Sequence, residues 1–393
     1  MDSPPPALQP PPGNPRFPLL DSMRAVAAIS VLVTHAAATS NFNLENGLGV
    51  LTARLDFGVT IFFLLSGFLL YRPFVAARRE GRPAIRARDF ARRRFLRIVP
   101  AYWVALTVLS IYPGLPGFSD HWLRLYTFTQ IYFSDSGLSG IAPAWTLCIE
   151  VTFYLVLPFL AAGITRLKPG TRGEIGIIVA LCLASIAFRQ IMQMSGDYNV
   201  LQSTLLGFFD WFGYGMILAV VSVHFHGRER QPGAITLITR RPWVPWAAGA
   251  AVFVLTAVLF DLPRSILTPF TDSNYLAEHI GYALTAVLLL LPAIFGDWAG
   301  GWPRRLLALR WMAWLGLISY GLYLWHLPIL SDAAKHGAQD WLPGSGLVSL
   351  AVVAFALAVP VAAASYYLVE RPALRFKDPR KRAKAPRSQA PGG

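Results

Sequence analysis

Long apolar segments dominate this chain of 393 residues, and ten of them carry almost no charged side chains. Helical windows of about 20 such residues cross a hydrocarbon core about 30 Å thick. Hydrophobic residues make up 54% of the chain and its mean hydropathy is +0.46, too apolar for a soluble protein of this size. The segments lie at 19–39, 57–73, 98–113, 146–164, 174–192, 203–223, 244–260, 276–295, 312–330 and 347–368. We therefore predict an all-α, polytopic membrane protein with about ten transmembrane helices.

Positive charge is distributed unevenly between the two ends of these segments. The net charge is +14. If the N-terminus lies inside and Arg16 and Arg24 are counted with its edge, the tails and even-numbered loops hold every Lys and Arg except Arg54, Arg124, Arg189, Arg264 and Lys335. The positive-inside rule then predicts that both termini are cytoplasmic, in a protein of the inner (plasma) membrane. The same distribution assigns the charge to topology and to the lipid bilayer, and argues against a nucleic-acid partner.

Composition divides the chain into three regions. Residues 1–15 are proline-rich and lack the basic start and small-residue cleavage site of a signal peptide, so we expect a disordered lead. Residues 16–375 hold the ten segments as one membrane domain. Residues 376–393 are basic, and we expect this cytoplasmic tail to lie along anionic lipid headgroups.

The first apolar segment contains an arginine and a histidine, Arg24 and His35. Eleven residues are close to three helical turns, so both side chains share one helix face, about 16 Å apart along the axis. A charge inside a membrane helix costs on the order of 2.5–3.5 kcal/mol and normally faces the bundle interior or water. The pair therefore indicates a functional site.

An arginine-rich segment, residues 72–97, precedes the third apolar segment. Arg94 and Arg97 are three residues apart and share a face if the third span begins there, with Pro100 in its first turn. Guanidinium groups bind phosphate oxygens bidentately, so the pair is a candidate phosphate site. A topology anchor and lipid-headgroup patch is the alternative interpretation.

The fourth segment carries a polar stripe in the string PAWTLCIEVTFYLVLP. Thr146, Glu150 and Tyr154 recur every fourth residue and so share one face of the helix. Glu150 and His35 both fall in the outer half of the predicted membrane domain. A carboxylate commonly orients a histidine base, which makes Glu150 a candidate partner of His35. A structural hydrogen bond between helices is the alternative.

The ninth segment carries a second polar face in ISYGLYLWHLPIL. Ser319, Tyr323 and His326 lie at positions i, i+4 and i+7, which places them on one side of a helix. His326 falls in the outer half as well, where a histidine beside Trp325 also fits an interfacial belt. The face is therefore a candidate extension of the site.

In their order along the chain, these motifs resemble those of the acyltransferase 3 family, the multi-spanning membrane acyltransferases of bacterial O-acetylation. The matching strings are LDSMRAVAAISVLVTHAA, FGVTIFFLLSGFLL, RRRFLRIVPAYW, WTLCIEVTFYLVLP, ISYGLYLWHLPI and YYLVERP. They cover about residues 17–372, and six strings in the family's order on a ten-span frame make the resemblance strong.

The resemblance implies an acyl-CoA-dependent O-acyltransferase. His35 matches the family's essential histidine, Arg24 its partner arginine, Arg94 and Arg97 the cytoplasmic arginine pair, and Glu150 the family's glutamate. The implied donor is acyl-CoA (acetyl-CoA first) as a cosubstrate, with no bound cofactor and no metal. The implied acceptor is a hydroxyl of a carbohydrate or of a glycosylated small molecule, often presented at the outer side.

One mechanism joins the residues with the resemblance. The phosphates of CoA dock on Arg94 and Arg97 beside Arg24, and His35, oriented by Glu150, takes the proton from the acceptor hydroxyl that attacks the thioester. Further candidate contacts to the acceptor or to these groups are Tyr154, Ser319, Tyr323 and His326. Three positions depart from the family: Ser22 replaces a common glycine, Thr60 stands where many members have an aspartate, and Cys148 replaces the second serine of the glutamate motif.

Two other classes of function fit parts of the pattern. A transporter or flippase would use Arg24, Glu150 and His326 as a proton or substrate path. A haem protein would use His35 and His326 as axial ligands. The sequence contains no P-loop, GxGxxG or GxSxG motif, which argues against the common nucleotide-binding and serine-hydrolase classes.

Overall fold

The fold is described from a computed structural model, and the described chain is helical throughout, without a β-strand. The structure describes residues 17–195, 200–226, 231–260, 262–265, 268, 271–296 and 300–377. The predicted proline-rich lead and all but the first two residues of the predicted basic tail lie outside these ranges. The prediction of an all-α chain is confirmed for the described residues.

Ten main helices follow the ten apolar segments of the sequence. They are α1 (Pro18–Thr39), α2 (Gly58–Arg79), α3 (Ala87–Ile111), α4 (Trp145–Leu167), α5 (Thr171–Met194), α6 (Leu205–Phe225), α7 (Trp243–Leu259), α8 (Asp272–Ile294), α9 (Arg310–Lys335) and α10 (Gly346–Ser365). Over the described residues nine are long and apolar enough to cross a membrane, and α7 is the exception. With the helix Gly233–Arg240, from which it is bent by 96°, α7 makes a tenth candidate span.

Helix α3 begins well before the apolar segment that the sequence indicates. It starts at Ala87 and includes Arg94 and Arg97 within its first three turns, whereas hydropathy places the start of the span near residue 98. Pro100 therefore lies inside the helix, and its expected place in the first turn is wrong. The reason is that a helix can extend beyond the hydrocarbon region, where charged residues no longer oppose it.

Close backbone contacts at glycine hold the central helices together. Helix α2 packs against α6, where a Cβ on Gly67 would lie 2.0 Å from the carbonyl oxygen of Phe212. Helix α1 packs against α9 in the same way, since a Cβ on Gly316 would lie 1.7 Å from the carbonyl oxygen of Asp21. Small residues at such crossings let membrane helices approach closely. Gly67 thus allows α2 and α6 to pack closely.

Replacing Gly67 by alanine should lower the stability of the bundle by about 1–3 kcal/mol, because the added methyl group meets backbone that cannot rotate away. Gly163→Ala on α4 is the matched control, since nothing lies within 4 Å of a Cβ there. Thermal unfolding of the two purified variants in detergent measures the difference. A Gly67→Ala variant as stable as Gly163→Ala would contradict the close approach of α2 and α6.

Candidate functional site

A cavity lies between helices α1, α2, α3, α4 and α9, with about 780 Å³ of empty space including its opening. We call the end of the bundle where α2 finishes and α3 begins, residues 78–97, the arginine end. The cavity extends from Arg24, Arg94 and Arg97 near this end to Thr146 and Tyr323 deeper in the bundle. Its walls are formed by Arg24, Val59, Phe62, Phe63, Ser66, Leu69, Leu70, Arg94, Arg97, Ile98, Thr146, Leu147, Glu150, Tyr154, Ser319, Tyr320 and Tyr323.

The three arginines of the cavity differ in how they are paired. Arg24 Nη1 lies 2.5 Å from Asp21 Oδ1, one turn away on α1. Arg97 Nη1 lies 3.5 Å from Oε2 of Glu370, whose carboxylate is buried and has no hydrogen bond within the described chain. Arg94 is partly buried, and its Nε has no acceptor among the described residues. An anion in the cavity would therefore find its least neutralised cation at Arg94.

The carboxylate of Glu150 is held by two hydroxyl groups. Tyr154 donates to Oε1 at 2.5 Å, and Ser66 donates to the same oxygen. Both hydroxyl groups and Glu150 line the cavity, which leaves Oε2 as the carboxylate oxygen not engaged by them. The expected contact between Glu150 and His35 is not present in this structure, because Glu150 faces the middle of the cavity.

The partner of His35 is His326. His35 Nδ1 lies 2.9 Å from His326 Nε2, and the two rings are stacked with centroids 5.1 Å apart. His326 is only 1% exposed, so the interfacial-belt interpretation is wrong. Axial ligation of haem needs an iron ion between two imidazole nitrogens at about 2 Å from each. A direct 2.9 Å contact leaves no room for that ion.

Tyr323 lines the cavity and lies next to the histidine pair. Its hydroxyl lies 2.9 Å from Thr146 Oγ1 and 3.1 Å from the carbonyl oxygen of Pro143, and its ring centroid lies 5.9 Å from that of His326. Ser319, one turn earlier, donates to the carbonyl of Gly316 at 2.8 Å. Tyr323 therefore lines the cavity and lies beside His326, whereas neither imidazole lines the cavity.

Sequence reasoning missed Tyr320, which lines this cavity. Tyr320 lines the cavity and donates to the carbonyl oxygen of Ile98 at 2.9 Å, yet it lies outside the polar face formed by Ser319 and Tyr323. Cys148 is fully buried, its Sγ directed to the carbonyl of Ala144 at 3.4 Å, and it does not line the cavity. A side chain one position off a helical stripe gives no periodic signal, which is why Tyr320 went undetected.

Taken together, cations lie at one end of the cavity, a carboxylate with two hydroxyl groups lines it, and two imidazoles lie outside the lining, beside Tyr323. Such an arrangement can bind an anionic group, hold an extended chain beside polar groups, and accept a proton at an imidazole.

Curated proteins with similar sequences come from several bacteria. The chain is 25% identical to the peptidoglycan O-acetyltransferase OatA of Listeria monocytogenes, over 80% of the chain and 49% of that protein. It is 28% identical to the exopolysaccharide production protein ExoZ of Rhizobium meliloti, over 81% of the chain and 89% of that protein. It is 26% identical to the putative peptidoglycan O-acetyltransferase YrhL of Bacillus subtilis, over 80% of the chain and 48% of that protein.

The chain thus spans about half the length of OatA and YrhL and most of ExoZ. No solved structure matches it. The family model for the acyltransferase domain matches residues 17–367, a range that contains all ten main helices. The resemblance seen in the sequence is thereby confirmed, and the protein belongs to the acyltransferase 3 family.

Proposed function

We propose that the protein is an integral membrane O-acyltransferase that moves an acyl group, acetyl in the first instance, from acyl-CoA to a hydroxyl group of a carbohydrate or glycosylated acceptor. The choice of acyl-CoA as donor rests on the cavity with its three arginines. Among the described residues, the buried Nε of Arg94 has no acceptor. The O-acetyltransferase names of OatA and YrhL support the reaction class.

The orientation of the bundle follows from the charge distribution. The arginine end is cytoplasmic, and both termini lie on that side of the inner membrane, because Lys and Arg are concentrated in the segments at this end. Acyl-CoA is a cytoplasmic metabolite, so a cavity that begins at the arginine end is on the side from which the donor comes.

In this account the phosphates of CoA bind Arg94 and Arg97, and the arm that carries the thioester extends into the cavity. Guanidinium groups recognise phosphate by two parallel hydrogen bonds, which favours arginine over lysine here. Glu150 Oε1 is occupied by Ser66 and Tyr154, so Oε2 accepts an amide N–H of the arm. Glu150 thus acts on the donor, while His35 acts on the acceptor.

The chemical step takes place where the cavity meets the histidine pair. His35 takes the proton of the acceptor hydroxyl as its oxygen attacks the thioester carbonyl. The new C–O ester bond forms, the C–S bond breaks, and the electron pair leaves with the CoA sulfur toward the arginines. Tyr323 lines the cavity and lies beside His326, so in this mechanism its side chain rotates to let the thioester reach His35.

Thioester cleavage tests this proposal. Membranes from cells that express the protein should release free CoA thiol from acetyl-CoA when envelope glycans are supplied as acceptors, and control membranes without the protein should not. A transporter that uses Arg24, Glu150 and His326 as a path would move substrate with no loss of thioester. Substrate movement with intact acetyl-CoA, across several acyl chains and acceptors, would replace this proposal with the transporter.

A further inference from the structure

The contacts of the histidine pair indicate which ring nitrogen of each histidine carries a hydrogen. His326 Nδ1 lies 2.9 Å from the carbonyl oxygen of Tyr323 and 3.1 Å from that of Leu322, both on its own helix α9. A carbonyl oxygen can only accept a hydrogen bond. Nδ1 of His326 must therefore carry the hydrogen, whichever of the two carbonyls it favours.

The burial of His326 determines whether its other nitrogen, Nε2, carries a hydrogen. A neutral imidazole has one N–H and one lone pair, so Nε2 of a neutral His326 is an acceptor. The ring is 1% exposed, and a buried positive charge without a paired carboxylate is strongly unfavourable. In the described chain the ion pairs of histidine are those of His279 and His336, and none involves His35 or His326.

The hydrogen in the 2.9 Å contact consequently belongs to His35. Nε2 of His326 accepts, so Nδ1 of His35 donates, and the lone pair of His35 lies on its Nε2. The reverse arrangement, with a hydrogen on Nε2 of His326, would need a charged ring with hydrogens on both nitrogens.

We propose that His326 is a positioning residue that selects the Nδ1–H tautomer of His35 and thereby leaves Nε2 of His35 as the base. This inference rests on the proposed acyl transfer for its functional meaning. When Nε2 takes the proton of the acceptor hydroxyl, His35 becomes an imidazolium, and its Nδ1–H bond to His326 becomes charge-assisted and stronger. A neutral imidazole thus does here what a carboxylate does for histidine bases in other enzymes.

The packing of α1 against α9 holds the two rings in this arrangement. Asp21 and Gly316 are in backbone contact nearer the arginine end, and His35 and His326 meet further along the same two helices, which run in the same direction. The rings are 29° from parallel and lie on rigid helices rather than on loops. While His326 keeps this rotamer, its tautomer cannot change without charging the ring or losing the hydrogen bond to its own helix.

Two conservative variants separate this role from a merely structural one. In His326→Gln the side-chain oxygen can reach the position of Nε2 and accept from His35, whereas the shorter side chain of His326→Asn reaches only the position of Nδ1. We expect His326→Asn and His326→Ala to lose at least about 10²-fold in kcat, in line with general-base help of 10²–10⁴-fold. His326→Gln should stay within about tenfold of the wild type, and KM for acetyl-CoA should be unchanged in all three because His326 does not line the cavity.

Wild-type kcat in His326→Asn, or equal losses in the Asn and Gln variants, would overturn the inference. Nitrogen-15 NMR of histidine-labelled protein gives a readout that needs no activity. It should show His35 protonated at Nδ1 in the wild type and in His326→Gln, and a shift toward Nε2 protonation in His326→Asn. Nε2 protonation of His35 in the wild type would refute the tautomer even in an active transferase. The expected spectra in a protein that never cleaves acyl-CoA would instead refute the proposed function alone.

Discussion

Replacing His35 by alanine should abolish acyl transfer and leave donor binding intact. Without the imidazole the acceptor hydroxyl keeps its proton, and loss of general-base help lowers the rate by about 10²–10⁴-fold. His35 does not line the cavity, so the affinity for CoA should remain that of the wild type. Rates of thiol release from acetyl-CoA, together with titration of CoA into purified protein, measure the two effects separately.

His336→Ala is the matched control for that experiment, because His336 is an exposed histidine whose Nδ1 donates to the carbonyl of Asp332 at 2.9 Å. It should transfer acyl groups at the wild-type rate. Full activity in His35→Ala would mean that His35 is not the base. An equal loss of transfer in His336→Ala would mean that the loss is not specific to the site.

The second large effect is expected at Arg94. Its guanidinium is the least neutralised cation of the cavity, so Arg94→Gln should remove one or two charge-assisted hydrogen bonds to the phosphates of CoA. Hydrogen bonds to charged groups contribute about 1.5–3 kcal/mol each, which corresponds to about a 10- to 150-fold rise in KM for acyl-CoA. The measurement is KM and kcat with acetyl-CoA, and kcat at saturation should change much less than KM.

Arg82→Gln removes the same charge from the arginine end without touching the cavity. Arg82 is exposed and paired with Glu80 at 2.5 Å. Its KM should stay within about twofold of the wild type, since surface ion pairs contribute little. Equal effects of Arg82→Gln and Arg94→Gln would show that general positive charge, rather than the cavity, attracts the donor.

Hydropathy and helical periodicity predict much of this architecture because each helix has to satisfy its own backbone in the membrane. The apolar segments correspond to α1–α10, and the stripe of Thr146, Glu150 and Tyr154 does face one cavity. Arg94 and Arg97 share that cavity, as their spacing of three residues suggests. These features depend on local spacing, which a sequence records directly.

Contacts between segments that are distant in the chain cannot be predicted from local spacing. The bond between His35 and His326, the ion pair of Arg97 with Glu370, and the buried pair of Asp210 with His279 at 2.9 Å each join two different helices. Without the packing of those helices, Glu150 is an equally good partner for His35. This is why the sequence pairs His35 with Glu150, whereas the structure places His35 against His326.

Charge patterning also gives the wrong expectation for the exposure of an arginine in the loop between α8 and α9. Arg304 reads as one more positive residue of a cytoplasmic loop, yet it is fully buried. Its guanidinium donates to carbonyl groups of Ile238, Thr239, Pro292, Phe295 and Gly300. Backbone that leaves a helix needs donors for its free carbonyls, and a buried arginine supplies them near the bent helix pair that ends in α7.

The fate of an acetyl label shows whether the protein transfers acyl groups through His35. Acetyl-CoA labelled in the acetyl group would be incubated with envelope glycans and membranes that contain either the wild-type protein or His35→Ala at equal amounts. We expect base-labile label on the glycan with the wild type and background label with His35→Ala. Glycan label at equal levels with both proteins, or none with the wild type while acetyl-CoA stays intact, would contradict this expectation.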